Sequence, residues 1–401
     1  MLHQILTFQD LVAPLDRRVF LRDYYRKRHL HLPGGARRFD AVFGWDALNR
    51  LLASPTLWDY PALHLARNGE AIPQDVYCYR GKSRDRTPVN RPDIPKVRAL
   101  LSHNASMVLG FAEYLTPEFS SITRTLETVL GGETTAAVFH SYRDVQGYPV
   151  HYDIQNVFAL QFAGEKVWRI YENRYPNAAA VKGADPSDRP QGEHGQRKGA
   201  LLDEVLLTPG DVLYLPHGQY HEALSVTDAS LHVSFGVIHD VVTYFLTQLI
   251  EDLAQDPFYR EHLPHFDDVD GQQQFLHAAG ARLKGFFDSP EMADQFRDYL
   301  KTKAFERDWQ FQLPDTRSPK RYRVCWNRGR FRETGVGTVF DIDNRSVSLQ
   351  RPAAPILSWL QHRDYFLADE LTKLGHDLPA SAVEDALSVL ETGGVIQSMG
   401  A

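Results

Sequence analysis

His151, Asp153 and His221 are the side chains on which any chemistry of this chain would turn. The first two sit in Tyr148-Pro-Val-His-Tyr-Asp-Ile-Gln-Asn-Val-Phe-Ala-Leu-Gln-Phe162. They are two positions apart, so on an extended strand both point to one face, and Tyr152 points to the other. Two imidazoles and one carboxylate can take one face of a metal ion, leaving the opposite positions open for a cosubstrate and dioxygen. That makes oxidative chemistry the leading expectation. The donor set suits iron, manganese, nickel or zinc, so ligand type alone does not name the metal. A surface strand carrying a weak ion pair would show the same triplet, so the pattern around His221 has to supply the specificity.

That pattern is more particular. Leu206 to Asp211 reads as a strand ending in a turn punctuated by Pro209 and Gly210, and Val212 to Leu215 as a second apolar strand. Pro216-His217-Gly218 is the next tight turn, and His221 opens the strand that returns to the core. The spacing Gly210, five residues, Pro216, one residue, Gly218, two residues, His221 resembles the second motif of the cupin superfamily, barrels related to jelly rolls. His217 competes for the ligand role, being four positions from His221 as in helical zinc sites. Gly218 and Pro216 argue against a helix there, so His217 is expected in a turn with its imidazole in solvent. His140 and His232 lie on flanking strands, where hydrogen-bonded core histidines are the usual outcome.

The chain is similar to the JmjC-type ribosomal oxygenases, cupin-like protein hydroxylases that use iron(II) and 2-oxoglutarate. The matching segments are His151 to Gln161, Gly164 to Ile170, Leu207 to Pro216 with His221-Glu222, and Ser230 to Gly236. The resemblance implies that His151, Asp153 and His221 ligate Fe(II). It implies that Lys166 holds the far carboxylate of 2-oxoglutarate, and that His232 and Ser234 line the cosubstrate pocket. The expected fold class is a mainly β double-stranded β-helix (cupin/JmjC jelly roll) with a helical dimerisation segment and a C-terminal winged-helix-like domain. The expected activity is hydroxylation of a protein side chain, with decarboxylation of 2-oxoglutarate to succinate. A ribosomal protein is the expected substrate and a homodimer the expected assembly. Two departures bear on this: Asn156 stands where many relatives carry an acid, and the residues before Tyr148 match poorly, which weakens the substrate assignment.

Lys166 has a physical argument of its own. On a strand it shares a face with Trp168 and Ile170, opposite Glu165, Val167 and Arg169. An inward lysine is costly unless it meets an anion, and a dicarboxylate supplies one. The alternative is a strand-end lysine that snorkels to water.

The 401 residues are enough for two or three domains. Apolar content of 43% and charged content of 24% are ordinary for a globular chain. A net charge of −7 does not advertise binding to bulk nucleic acid. Cys78 and Cys325 are the two cysteines, which implies no disulfide framework and fits a reducing compartment. No apolar run approaches membrane-spanning length, and the first residues lack a basic segment leading into an apolar one. A cytoplasmic location follows as the expectation.

Helices are predicted over Asp16–Arg28, Trp45–Ala53 and Phe119–Leu130, and short strands from Thr134 to Val237 signal a barrel core. The stretch Asn173–Lys198 interrupts that core and is too poor in large apolar residues to supply packing, so a lid or a plain insertion is expected. Helical periodicity returns over Val241–Leu253, Gln272–Phe287 and Pro290–Lys303. The run Arg317 to Arg332 holds seven basic residues, and Gly329 suggests a hairpin within it. Helix-like segments follow at Ile356–Gln361, Phe366–Leu374 and Ala380–Leu390. From Arg351 onward three Lys/Arg face seven Asp/Glu, a balance unsuited to duplex phosphates, so no direct DNA binding is expected. The domains read as 1–240 catalytic, 241–310 helical and 311–401 C-terminal. Rival functions are the same chemistry on a peptide natural-product precursor, a metal cupin enzyme independent of 2-oxoglutarate, and a non-catalytic adaptor. Demethylation through the same iron chemistry also stays open.

Overall fold

The computed structural model describes residues 6–54, 57–67, 70–83, 85–142, 146–181, 185, 191–302, 320–325, 330–334, 337–342, 345–350, 354–360, 363–374 and 380–399. Contacts divide the chain into two units, one of 1–130, 134–237 and 307–401, the other of 131–133 and 238–306.

Among the described residues the first unit is built on thirteen strands, followed by those of its C-terminal part. They are β1 (Leu30–Leu32), β2 (Leu63–Arg67), β3 (Glu70–Ala71), β4 (Cys78–Lys82), β5 (Pro88–Pro92), β6 (Ser106–Leu109), β7 (Glu133–Tyr142), β8 (Asn156–Ala163), β9 (Lys166–Arg174), β10 (Leu201–Leu207), β11 (Val212–Leu215), β12 (Gln219–Ser225) and β13 (Ala229–Ile238). Eight of them form one sheet in the order β1-β11-β8-β13-β7-β6-β2-β3, and β10-β9-β12 form the facing sheet. The core between the sheets takes Val157 and Ala159 from β8, Trp168 and Ile170 from β9, and Leu213 and Leu215 from β11. The other face of β8, Phe158 and Leu160, packs with Phe8, Phe20 and Phe119 of the N-terminal helices. Being covered on both faces, the middle of β8, Val157–Leu160, reads as a continuous apolar run rather than an alternation.

The N-terminal helix is shorter than the sequence suggests. It spans Arg17–Asp23, capped by Asp16, whose side chain accepts from the Arg18 and Val19 amides. The chain then turns through Arg26 at φ 60°, and the Arg26 amide donates to the Tyr214 hydroxyl at 2.7 Å. That tertiary bond outcompetes the helix. Helices Trp45–Leu52 and Pro117–Leu130 fall where expected.

In the C-terminal part, Phe366–Leu374 is not one helix. Tyr365–Leu367 is a strand paired with Arg321–Val324, and Ala368–Leu374 is the helix. Aromatic Tyr365 and Phe366 favour the extended form and are buried there. The basic strands Arg321–Val324 and Arg330–Thr334 belong to different sheets and do not form the expected hairpin. Tyr322 and Val324 are instead drawn into the local core. Arg317, Arg328 and Gly329 lie outside the described residues.

The second unit is helical, with Val242–Leu253, Val269–Phe287 and Pro290–Thr302. Phe245 meets Phe296 at 4.9 Å and Tyr299 at 5.0 Å between ring centroids. Asp268 caps the longest helix by accepting from the Gly271 amide, which starts it earlier than Gln272. Among the described residues no helix is long and apolar enough to cross a membrane.

Candidate active site

His151 and His221 are joined backbone to backbone. The His151 amide donates to the His221 carbonyl at 3.0 Å, and the His221 amide to the His151 carbonyl at 2.8 Å. This bridge stands outside the named strands, so the His151–Asp153 segment is not part of a continuous strand. Alternation still holds across it: Tyr152 is fully buried on the opposite side. Asp153 is held through its carbonyl, which accepts from the Gly218 amide at 2.7 Å. Gly218 adopts φ +77°, and a Cβ there would lie 2.1 Å from the Tyr175 carbonyl oxygen, so this turn requires glycine.

The three side chains converge. Nε2 of His151 lies 3.8 Å from Oδ1 of Asp153, and Nε2 of His221 lies 3.5 Å from Oδ2. One ligand atom from each falls within 4.8 Å of the others. His151 Nδ1–H donates to the Pro149 carbonyl at 2.8 Å, and His221 Nδ1–H to the Gln219 carbonyl at 2.9 Å. Each bond fixes a tautomer that leaves Nε2 as a lone-pair donor, which is how metal-binding histidines are oriented. Burial first, and then the neighbouring His151, push the His221 imidazole down to about 4, so it stands neutral. Trp168 stacks on His221 at 5.6 Å and holds the ring plane.

Lys166 does not snorkel. It is buried, and its Nζ donates to His232 Nδ1 at 3.2 Å and lies 3.5 Å from Ser141 Oγ. Burial pushes the ammonium down to about 7, and no carboxylate neutralises it among the described residues. His232 is held well below its ordinary value by burial and by Lys166, and stacks on Phe139 at 4.7 Å. Ser234, Lys166, His232 and the three ligand residues all line one cavity of about 590 Å³.

The other two candidate histidines, His217 and His140, do not line this cavity. His217 sits in the turn, half-buried rather than in solvent, because Arg174 donates to its Nδ1 at 3.2 Å. His140 is buried against Trp45 at 5.5 Å, on the far side of β7 from Phe139 and Ser141. Asn156 also faces away from the cavity and accepts from the Tyr214 hydroxyl at 3.1 Å. Its departure from the acid of many relatives therefore does not touch the site.

Sequence reasoning missed a stretch of the cavity wall beside His151, whose ring lies 6.0 Å from that of Tyr148. His64 Nδ1–H donates to the Pro61 carbonyl at 3.1 Å, and the Tyr148 hydroxyl donates to His64 Nε2 at 2.9 Å. Both line the cavity. Burial raises the Tyr148 phenol to about 12 and lowers the His64 imidazole, so both are neutral at neutral pH. No short-range pattern links His64 to Tyr148. Ser141 had a signal: it alternates with His140 on β7.

Residues 114–244 match the family model of the JmjC domain. Over 261 residues the chain is 24% identical to ribosomal oxygenase 2 of Rattus norvegicus, covering 62% of this chain and 52% of that one. Over 273 residues it is 30% identical to the bifunctional lysine-specific demethylase and histidyl-hydroxylase NO66 of Dictyostelium discoideum, covering 63% and 48%. The chain thus spans about half the length of these curated relatives. Among solved structures, the Escherichia coli ribosomal oxygenase YcfD in complex with cobalt and succinic acid aligns over 96% of this chain and 99% of that one. Its sequence identity is 16% and its TM-score 0.48. The JmjC match and the His-Asp-His donor set agree with the cofactors expected from the sequence, Fe(II) and 2-oxoglutarate.

Proposed function

We propose that this JmjC-domain chain is an Fe(II)- and 2-oxoglutarate-dependent oxygenase that hydroxylates a side chain of a protein substrate, with a ribosomal protein as the target. One observation carries the reading: an oriented His151, Asp153, His221 donor set and a buried lysine that meets no carboxylate among the described residues open into the same cavity. Fe(II) with 2-oxoglutarate and dioxygen would supply the oxidative chemistry: one oxygen atom of dioxygen would enter a substrate C–H bond as hydroxyl, and the other the succinate formed as the keto acid loses carbon dioxide.

The chain's own residues do the placing. His151, Asp153 and His221 would hold the metal, and Lys166 would pair with the far carboxylate of the cosubstrate. His232 accepts from Lys166 and fixes its direction, and Ser234 lines the same wall. The cavity volume of about 590 Å³ is of the size that small-molecule sites use. The stretch of its wall that carries His64, Tyr148 and Phe111 would receive the substrate side chain.

The ribosomal target is supported by the names of the relatives and by net charge, since a −7 protein attracts basic segments. The domain reading, 1–240 catalytic, 241–310 dimerising and 311–401 winged-helix-like, belongs to the same proposal. Homodimerisation is supported by the helix Val269–Phe287, which buries none of its residues and leaves Val269 and Leu276 each 69% exposed. A cytoplasmic location is supported by Cys78 and Cys325 being free thiols, and absence of direct DNA binding by the acidic C-terminal balance.

The test is incubation of the full chain with Fe(II), 2-oxoglutarate and ribosomes, reading succinate together with a gain of one oxygen on a ribosomal protein. Succinate coupled to oxygen gain on a short peptide instead would move the substrate to a peptide precursor. No turnover of 2-oxoglutarate with any protein or peptide would sink the proposal.

A further inference from the structure

The insertion between β9 and β10 reaches the ligand residues from behind. Where it leaves β9, the Tyr175 amide donates to the Gly218 carbonyl at 2.8 Å, and the Tyr175 ring lies on Tyr152, 4.8 Å away and 3° from parallel. Its short helix, Gln191–Arg197, carries His194, which is only 3% exposed. The His194 ring meets Tyr152 at 5.5 Å and Tyr220 at 6.0 Å, and those two meet each other at 5.2 Å. The expectation that this stretch supplies no packing is therefore corrected. A buried imidazole does what the missing large apolar residues would have done.

Sequence position gives the contact its meaning. Tyr152 lies between His151 and Asp153, and Tyr220 immediately precedes His221. Alternation turns both rings away from the ligand atoms and into the pocket that His194 fills. One ring from the insertion thus touches both ligand-bearing segments. The His151–Asp153 segment gains from such support: among the described residues its backbone is tied by an isolated bridge to β12 and by the Gly218 amide on the Asp153 carbonyl, not by a strand ladder.

We propose that the insertion is an outer brace of the metal centre, with His194 as its positioning residue, setting the affinity of the site for a divalent transition metal. The proposal rests on the reading of His151, Asp153 and His221 as metal ligands and adds a role for a segment outside the cavity. Removing the ring leaves a void behind Tyr152 and Tyr220 that neighbours fill only in part. The two segments then shift relative to each other, and a metal site tolerates only about 0.5 Å of such looseness.

Co(II) is the probe, titrated into the metal-free full chain and followed by its visible absorption. Hydrogen exchange at the His151 and His221 amides of metal-free protein is the second readout. We expect His194→Ala to weaken Co(II) binding about tenfold, as loss of an outer-shell partner does, and to speed exchange at both amides. His194→Phe should restore most of both, and Arg197→Ala, exposed on the same helix, should change neither. Should His194→Ala fail to fold, His194→Val, which keeps part of the volume but still leaves a void between Tyr152 and Tyr220, decides on the same readouts. Wild-type Co(II) affinity and wild-type exchange in the folded variant would overturn the brace. If the wild-type chain itself binds no Co(II), the metal reading falls. Exchange alone then decides whether His194 ties the two segments: faster supports the brace, unchanged overturns it.

Discussion

Lys166 Nζ donates to His232 Nδ1 across 3.2 Å, and neither group meets a carboxylate among the described residues. Two buried basic side chains facing one cavity make a hole waiting for negative charge. The lone pair at Nδ1 of His232 steers the ammonium, and stacking on Phe139 at 4.7 Å keeps that imidazole from turning away. The lysine is thus aimed before any ligand arrives, which lowers the ordering cost of binding.

Lys166→Met should therefore separate anion binding from metal binding. Losing one partner of a buried charge pair costs about 2–5 kcal/mol, which is about 30-fold or more in Kd. The affinity for 2-oxoglutarate, read through Trp168 fluorescence, should fall by at least that much while Co(II) affinity stays unchanged. Unchanged 2-oxoglutarate affinity would favour a metal cupin enzyme that does not use this cosubstrate.

Cosubstrate binding should also take up a proton. Burial lowers Lys166 to about 7, so at pH 8 about nine in ten ligand-free molecules hold it neutral. A bound dicarboxylate restores the charge. Calorimetry at pH 8 in buffers of different ionisation heat should find nearly one proton absorbed, and Lys166→Met should abolish that share. The stability of the ligand-free chain follows with a definite sign. Between about 7 and the ordinary value of 10.5 the unfolded chain holds a proton that the folded one lacks. The Lys166 contribution to stability therefore rises with pH across that window, and the cost of burying its charge is fully present below it. Denaturant midpoints of wild type minus Lys166→Met should show this slope, and a flat difference from pH 7 to 10 would contradict it.

Asp153→Ala should weaken the metal site beyond what loss of an outer-shell partner costs, about 10–100-fold, and leave the fold intact. The bridge between His151 and His221 is made by backbone groups, so it survives the substitution. Co(II) titration beside a thermal melt checks both halves. A variant that binds Co(II) as tightly as wild type would remove Asp153 from the ligand set.

The parts of this site that were legible in the sequence are those set by short-range rules. Alternation put His151 and Asp153 on one side, turned Tyr152 away, and drew Lys166 inward with Trp168. The Gly210, Pro216, Gly218 punctuation located His221. What escaped depends on long-range meetings. The Arg17–Asp23 helix stops early because of the hydroxyl of Tyr214 on β11. His64 joins the cavity wall only because β2 lies near Tyr148. The insertion looked too polar to pack, and composition could not reveal that one histidine in it would be buried between two tyrosines.

Two glycine substitutions should move stability in opposite directions. Gly218 has φ +77° and its Cβ would stand 2.1 Å from the Tyr175 carbonyl oxygen. Gly218→Ala should therefore cost about 1–3 kcal/mol from the backbone conformation alone, and more from the clash. Because the Gly218 amide holds the Asp153 carbonyl at 2.7 Å, Co(II) affinity should fall with it. Gly195 lies inside the helix Gln191–Arg197 with nothing within 4 Å of its Cβ position. Gly195→Ala should stabilise by about 0.5–1 kcal/mol, the ordinary gain of alanine over glycine in a helix. Urea unfolding of both variants with Co(II) titration checks the pair. A Gly218→Ala protein with wild-type stability would mean that the turn carrying His217 can re-form without its left-handed residue, and that Asp153 is positioned by something else.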